Sequence, residues 1–387
     1  MTFKILSLDG GGMRGAISAR ILQEVERQVK ERKGLALHEY FDMVAGTSTG
    51  SLLTAGIAAQ KNSEQLIKLY QDYGKDIFPQ TESFWPDPIR QIINAFSPSK
   101  YSHDGLIKAL KATLGNVIIS KVESPIILIP AYDTLYRNTT FFTNCHPDLG
   151  ERWYDDTPLW EICVCSSSAP TFFPPYELKP YNKDKFGNWS FPHIDGGVSA
   201  NNPSLAAISL ALRVSNASNV SPEIKQKYKL DNLRLEDISV LSIGTGRTGE
   251  PYEYSQVKAW KTLDWVKHVV DVFMEPTSEI DTTICKQILG EFGAKRYLRL
   301  QFDLNERFGS KINETYKDTR QVLPPGQRTN RFTGKKLTEE IDDATDRTIN
   351  DMIDTATSFI EKGRTYYTRN EDGPLVKDAI GQFIDAN

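Results

Sequence analysis

Ser48 stands between Gly46 and Gly50 in the run FDMVAGTSTGSLL, residues 41–53. A serine with glycines two places before and two places after suits the sharp strand-to-helix turn that presents a nucleophile, because larger side chains at those positions collide when the chain doubles back. The hydroxyl then lies at the N-terminus of a helix, where unpaired N–H groups favour developing negative charge. The chemistry such a serine serves is acyl transfer through a covalent ester.

Two further stretches bear on it. In DGGGMRG, residues 9–15, Gly10, Gly12 and Gly15 match G-x-G-x-x-G, and Gly11 adds a third glycine in a row. Several N–H groups can converge in such a loop with no side chain in the way, so it suits an anion. In FPHIDGGVSANN, residues 191–202, Asp195 ends a short strand and is freed by Gly196 and Gly197. An acid so placed is a partner for a nucleophile, although Asp-Gly-Gly alone is a common turn.

The glycine loop has two readings. A dinucleotide pyrophosphate requires a second strand ending in an acidic residue about 20 positions on, to hold the ribose. The chain offers Glu31-Arg32-Lys33-Gly34, which has the look of a helix end, and its next strand runs into Ser48. The other reading is an oxyanion hole for an acyl group on Ser48. It joins both motifs in one site if the two strands are parallel neighbours with their carboxyl ends at the same sheet edge. Arg14 in the first turn of a helix opposes the helix dipole, so it is expected either to serve the site, by attracting a phosphate or supporting the loop, or to sit in a surface ion pair.

The elements that must hold these residues are readable as well. Lys4–Leu8 is a central strand, and Ile17, Ile21, Leu22, Val25 and Val29 recur at helical spacing behind the glycine loop. Phe41 and Met43–Ala45 form a short buried strand, and residues 51–59 a small-residue buried helix. Asn62 and Gln65 make a capping box. Residues 125–130 and 139–143 are neighbouring strands, and 157–166 is a helix led by Pro158. Residues 239–243 and 296–302 are further strands, 259–274 and 338–362 helices, and the tail from 366 to 387 is expected to be loosely held. Residues 78–101, with Phe84, Trp85, Ile89, Ile92, Ile93 and Phe96 between prolines, form either a lid that docks on lipid or a helix packed on the core.

Composition sets the class. The chain has 387 residues, 39% of them hydrophobic and 25% charged, with a formal net charge of −4, so it reads as globular and gives no reason to expect nucleic acid. No apolar run approaches the roughly 20 residues a bilayer demands. The opening MTFKILSLDGGG enters a strand without a signal-peptide pattern, and a cytoplasmic location is expected. Cys145, Cys163, Cys165 and Cys285 have neither disulfide-framework nor zinc-site spacing, so no metal or cofactor is expected.

Taken together, DGGGMRG, GTSTG, the block CSSSAPTFFPP at 165–175 and DGG at 195–197 resemble the patatin-like family of lipid acyl hydrolases. LSIGTG at 241–246 and the later KAWKTLDWVKHVV and RYLRL stretches extend the likeness over most of the chain. The resemblance implies an α/β fold, a three-layer α/β/α sandwich with a mostly parallel sheet, in one catalytic domain over 1–365. It implies Ser48 as nucleophile and Asp195 as general base in a dyad without histidine. The amides of Gly10, Gly11 and Gly12 then form the oxyanion hole, with Arg14, Gly15, Gly46, Gly50, Gly196 and Gly197 supporting. The implied partners are a lipid substrate and a membrane or micelle surface. Such a dyad works if burial raises the aspartate pKa. Of the five histidines, His193 alone tempts a triad, since positions 193 and 195 share a strand face. The rival functions are a nucleotide- or phosphate-binding protein and a storage or interaction protein of low turnover.

Overall fold

The computed structural model describes residues 2–79, 99–148, 150–248, 251–290, 295–309, 321–368 and 371–387. Its strands are β1 (Phe3–Leu8), β2 (Met43–Gly46), β3 (Ile126–Asp133), β4 (Asn138–Phe142), β5 (Tyr176–Leu178), β6 (Phe191–Asp195), β7 (Ile238–Ile243) and β8 (Tyr297–Leu300). They make one sheet in the order β5-β6-β3-β2-β1-β7-β8, with β4 paired to β3. The run β3-β2-β1-β7-β8 is parallel, while β4, β5 and β6 are antiparallel additions.

Alternation along the strands builds the layers. Leu6, Leu8, Val44, Ile127 and Ile129 face one buried cluster, and Phe3, Ile5, Met43, Ala45, Ile126 and Leu128 face the other. A strand covered on both faces is apolar at nearly every position, which explains runs such as FKILSL and IILIPA. Helix α1 (Gly15–Lys33) lays Ile17, Ile21, Leu22, Val25 and Val29 on the first face. It stops at Gly34, which takes the left-handed conformation at φ 71°. The helix Ser204–Asn216 covers the second face with Ala207, Ile208, Ala211 and Val214. The expected three-layer α/β/α arrangement is therefore what the chain adopts.

Three expectations change. The helix expected over 259–274 is two, Tyr254–Ala259 and Thr262–Leu289, the second starting where Asp264 Oδ2 accepts from the Lys261 N–H. The tail expected to be loosely held carries a packed element: Val376–Ala386 is a helix burying Val376, Ile380, Phe383 and Ile384 in the main core. Those positions repeat at helical spacing, and their burial outweighs their nearness to the terminus. The helix expected from Thr338 begins at Asp346, capped by Thr345, whose Oγ1 accepts from Thr348 N–H. Before it, the Asn305 side chain holds Leu337 in irregular backbone by bonding both its N–H and its carbonyl. The Asn62–Gln65 capping box forms as read. Of the segment 78–101, residues 80–98 lie outside the described residues. Its flanks meet, with the Phe78 and Tyr101 rings 5.3 Å apart beside Phe173.

Candidate active site

β2 ends at Gly46, and the helix Thr49–Ala58 starts two residues later. Ser48 turns the corner at φ 52° and ψ −122°, a conformation that costs a non-glycine residue of order 1–3 kcal/mol. The flanking glycines are demanded by close approach. A Cβ on Gly46 would lie 2.1 Å from the Gly50 carbonyl oxygen, and one on Gly50 2.2 Å from that of Leu8. The Ser48 N–H donates to Ser166 Oγ at 3.0 Å, and the Ser48 carbonyl accepts from Ser51 Oγ at 2.6 Å.

Asp195 comes to this serine from 147 residues away. Ser48 Oγ donates to Asp195 Oδ2 at 2.6 Å, and Gly197 N–H donates to Oδ1 at 2.7 Å. The aspartate is held from behind, since its N–H donates to Ser168 O and that of Gly196 to Ser166 O. A Cβ on Gly196 would fall 2.2 Å from the Pro130 carbonyl oxygen, so β6 can turn here only with glycine. Asp195 is 2% exposed. Burial pushes its carboxyl up to about 6, against the opposing pull of the Ser48 and Gly197 hydrogen bonds. At neutral pH such a group is an ionised, poorly solvated carboxylate of raised basicity.

The glycine loop closes the site. β1 and β2 are adjacent and parallel, so their following loops share one sheet edge. A Cβ on Gly10 would lie 3.2 Å from Ser48 Cβ, which measures how near the loop comes. Gly10 N–H donates to Asn201 O at 3.2 Å and so is already engaged. The N–H groups of Gly11 and Gly12 have no hydrogen-bond partner among the described residues. Of the three consecutive glycine amides, two are therefore unengaged. Arg14 Nε donates to Gly11 O at 3.3 Å, which makes it a brace for the loop. Gly15 lets α1 approach the elbow helix, since a Cβ there would lie 2.1 Å from Thr49 Oγ1.

The patatin-like phospholipase family model matches residues 6–208 of the chain, a span that holds Ser48, Asp195 and the glycine loop. The chain belongs to this family. It is 32% identical to patatin-like protein 1 of Arabidopsis thaliana over 78% of this chain and 75% of that one. It is 28% identical to a protein of Solanum tuberosum named probable inactive patatin-3-Kuras 1, over 77% of this chain and 78% of that one. A structure of human GIVD cytosolic phospholipase A2 aligns with all of this chain and 60% of its own, at 11% identity and a TM-score of 0.42.

In this patatin-like chain several supports escape a reading of the sequence. Ser166 Oγ donates to Pro130 O at 2.7 Å while accepting from the Ser48 N–H, so one buried hydroxyl ties the elbow to β3. Arg299, read only as part of a strand, grips the Asp9 carboxylate through Nη1 at 2.8 Å and Nη2 at 2.5 Å. Thr245 Oγ1 donates to Gly10 O at 2.8 Å. The one signal in the sequence is the serine-rich run before Pro170, three small hydroxyl side chains able to satisfy buried backbone groups.

His193 stands apart from the pair. Its Nδ1 lies 2.9 Å from Phe191 O, which can only accept, so Nδ1 carries the proton and Nε2 accepts from Thr140 Oγ1 at 3.1 Å. Both ring nitrogens are thus used away from Ser48. His103 Nε2 meets Ser168 Oγ at 2.9 Å behind the aspartate.

Proposed function

We propose that this chain is a lipid acyl hydrolase of the phospholipase A, lysophospholipase or galactolipase type, working through a Ser48–Asp195 dyad. The observation that carries the reading is the 2.6 Å hydrogen bond to a buried carboxylate from the hydroxyl of Ser48, whose backbone is strained, beside two unengaged glycine amides.

Asp195 takes the Ser48 proton as Oγ attacks the ester carbonyl carbon. The oxyanion that forms is met by Gly11 and Gly12 N–H, fixed donors that need no reorganisation. Collapse breaks the ester bond, and the departing alcohol takes the proton from Asp195. Water then gives its proton to Asp195 and attacks the acyl-enzyme, and the second collapse releases the fatty acid and returns the proton to Ser48. The buried Asp9–Arg299 pair and Arg14 keep the loop in place through both halves. This use of the loop favours an acyl oxyanion over a dinucleotide, because β2 leads into the elbow instead of ending in a ribose-binding acid.

The test is release of fatty acid from diacyl phosphatidylcholine, lysophosphatidylcholine and a galactolipid. Release that requires Ser48 is expected from at least one of them. No release from any of them, with no reaction toward a fluorophosphonate, would leave a low-turnover storage protein of the same fold. A companion prediction concerns His193. His193→Ala is expected to keep turnover within about threefold of wild type, since the ring touches neither reacting group. A loss matching that of Asp195→Asn would return the histidine triad.

A further inference from the structure

The antiparallel end of the sheet carries a feature that the catalytic chemistry does not use. β3 is in register with β6 at Ala131 and Asp195, so the rest of β3 and its turn extend beyond the level of the catalytic carboxylate. At about 3.3 Å per residue the tip of that β3–β4 hairpin stands roughly 10 Å past it, on the carboxyl side of the sheet. At the tip are Leu135, 55% exposed, and Tyr136, 59% exposed, followed by Arg137.

This tip is held rigidly. Asp133 Oδ1 accepts from the N–H groups of both Leu135 and Tyr136. Thr134 donates to Pro192 O through its N–H and its hydroxyl. The Tyr136 ring stacks on Phe191 at 6.2 Å, and Phe191 on Trp153 at 4.1 Å. On the other strand Thr139 Oγ1 donates to Ser199 Oγ at 2.8 Å, tying the hairpin to the turn after Asp195, where Val198 is 41% exposed. Arg137 sits at φ 55°, a left-handed conformation that disfavours its side chain, and it has no ion-pair partner among the described residues.

We propose that this hairpin tip is a docking point for a phospholipid surface, with Leu135 and Tyr136 entering the boundary between headgroups and acyl chains and Arg137 meeting lipid phosphate. A leucine, a tyrosine and an exposed arginine in succession match the three zones such a boundary presents: hydrocarbon, interface and anionic oxygen. The position suits the purpose, because a surface seated there meets the edge of the sheet where Ser48 and Asp195 lie. The inference rests on the hydrolase reading for its choice of a lipid partner.

The experiment is co-sedimentation of the Ser48→Ala protein with phosphatidylcholine vesicles, with and without phosphatidylglycerol, so that binding is read without turnover. Adding Leu135→Ser and Tyr136→Ser is expected to lower the bound-to-free ratio about tenfold, and Arg137→Gln to remove only the gain that phosphatidylglycerol brings. With Ser48 intact, the Leu135→Ser/Tyr136→Ser protein is expected to cleave a water-soluble short-chain ester at the wild-type rate, which shows the fold and site undisturbed. Equal sedimentation with and without the two tip substitutions, or no sedimentation of the parent protein, would overturn the docking surface. Failure of wild type on the soluble ester would overturn the hydrolase reading, and the sedimentation ratio would still decide the docking surface.

Discussion

Asp195→Asn is expected to cut ester turnover by about four orders of magnitude and at the same time to make the protein harder to unfold. An amide can keep both hydrogen bonds, accepting from Gly197 N–H and donating to Ser48 Oγ, so the geometry survives while the base is lost. The stability effect follows from burial. The carboxyl sits at about 6 in the fold against its ordinary 3.8, so the folded state holds this proton more tightly than the unfolded chain does. Stability attached to the group is then fully present below about pH 4 and lost as pH rises through about 6. Above that, the ionised aspartate costs on the order of 3 kcal/mol, much of which asparagine avoids. The melting temperature of Asp195→Asn is expected to exceed that of wild type by a few degrees at pH 7.5, with the difference shrinking towards pH 4. A variant less stable than wild type at pH 7.5 would mean that the carboxylate is better solvated than its surroundings imply.

Ser48→Ala is the second large effect. It removes the attacking oxygen, so turnover is expected to fall by about four orders of magnitude or more, to whatever binding and the loop amides sustain alone. Because serine and aspartate act on one proton, the double variant Ser48→Ala/Asp195→Asn is expected to be no slower than either single one. The alanine also deprives Asp195 of the donor that pulls its pKa down. The carboxyl of Ser48→Ala is expected to titrate above that of wild type, which infrared difference spectra of the carboxyl band would register. Alanine keeps the Cβ and with it the strained φ of 52°, whereas Ser48→Gly relieves it. Chemical denaturation is therefore expected to find Ser48→Gly about 1 kcal/mol more stable than Ser48→Ala.

How much of this was readable from the chain depends on the range of the cause. The elbow, the glycine loop and the turn after Asp195 each rest on close approaches that demand glycine locally or at the adjoining turn, so Gly46, Gly50 and Gly196 announce themselves. The parallel strands announce themselves by apolar runs covered on both faces. Other features have no local signature. Ser166 reaches the Ser48 N–H across 118 residues, Thr245 reaches Gly10 across 235, and Arg299 reaches Asp9 across 290. Nothing within any one of those stretches marks it as a partner. Gly10 looks like its two neighbours in sequence, and only the Asn201 carbonyl sets it apart. The last helix differs, because its apolar spacing is local and legible while its burial against the main core is what offsets the fraying expected near a terminus.

In the proposed dyad a carboxylate, with no imidazole between, draws the proton from Ser48. The rate of covalent modification by a fluorophosphonate, followed across pH with the modified residue mapped by mass spectrometry, reads that step directly. The prediction is a single adduct on Ser48 whose rate rises through an apparent pKa of about 6, is unchanged in His193→Ala and is abolished in Asp195→Asn. An adduct that forms at the wild-type rate in Asp195→Asn, or a titration that disappears with His193, would contradict it.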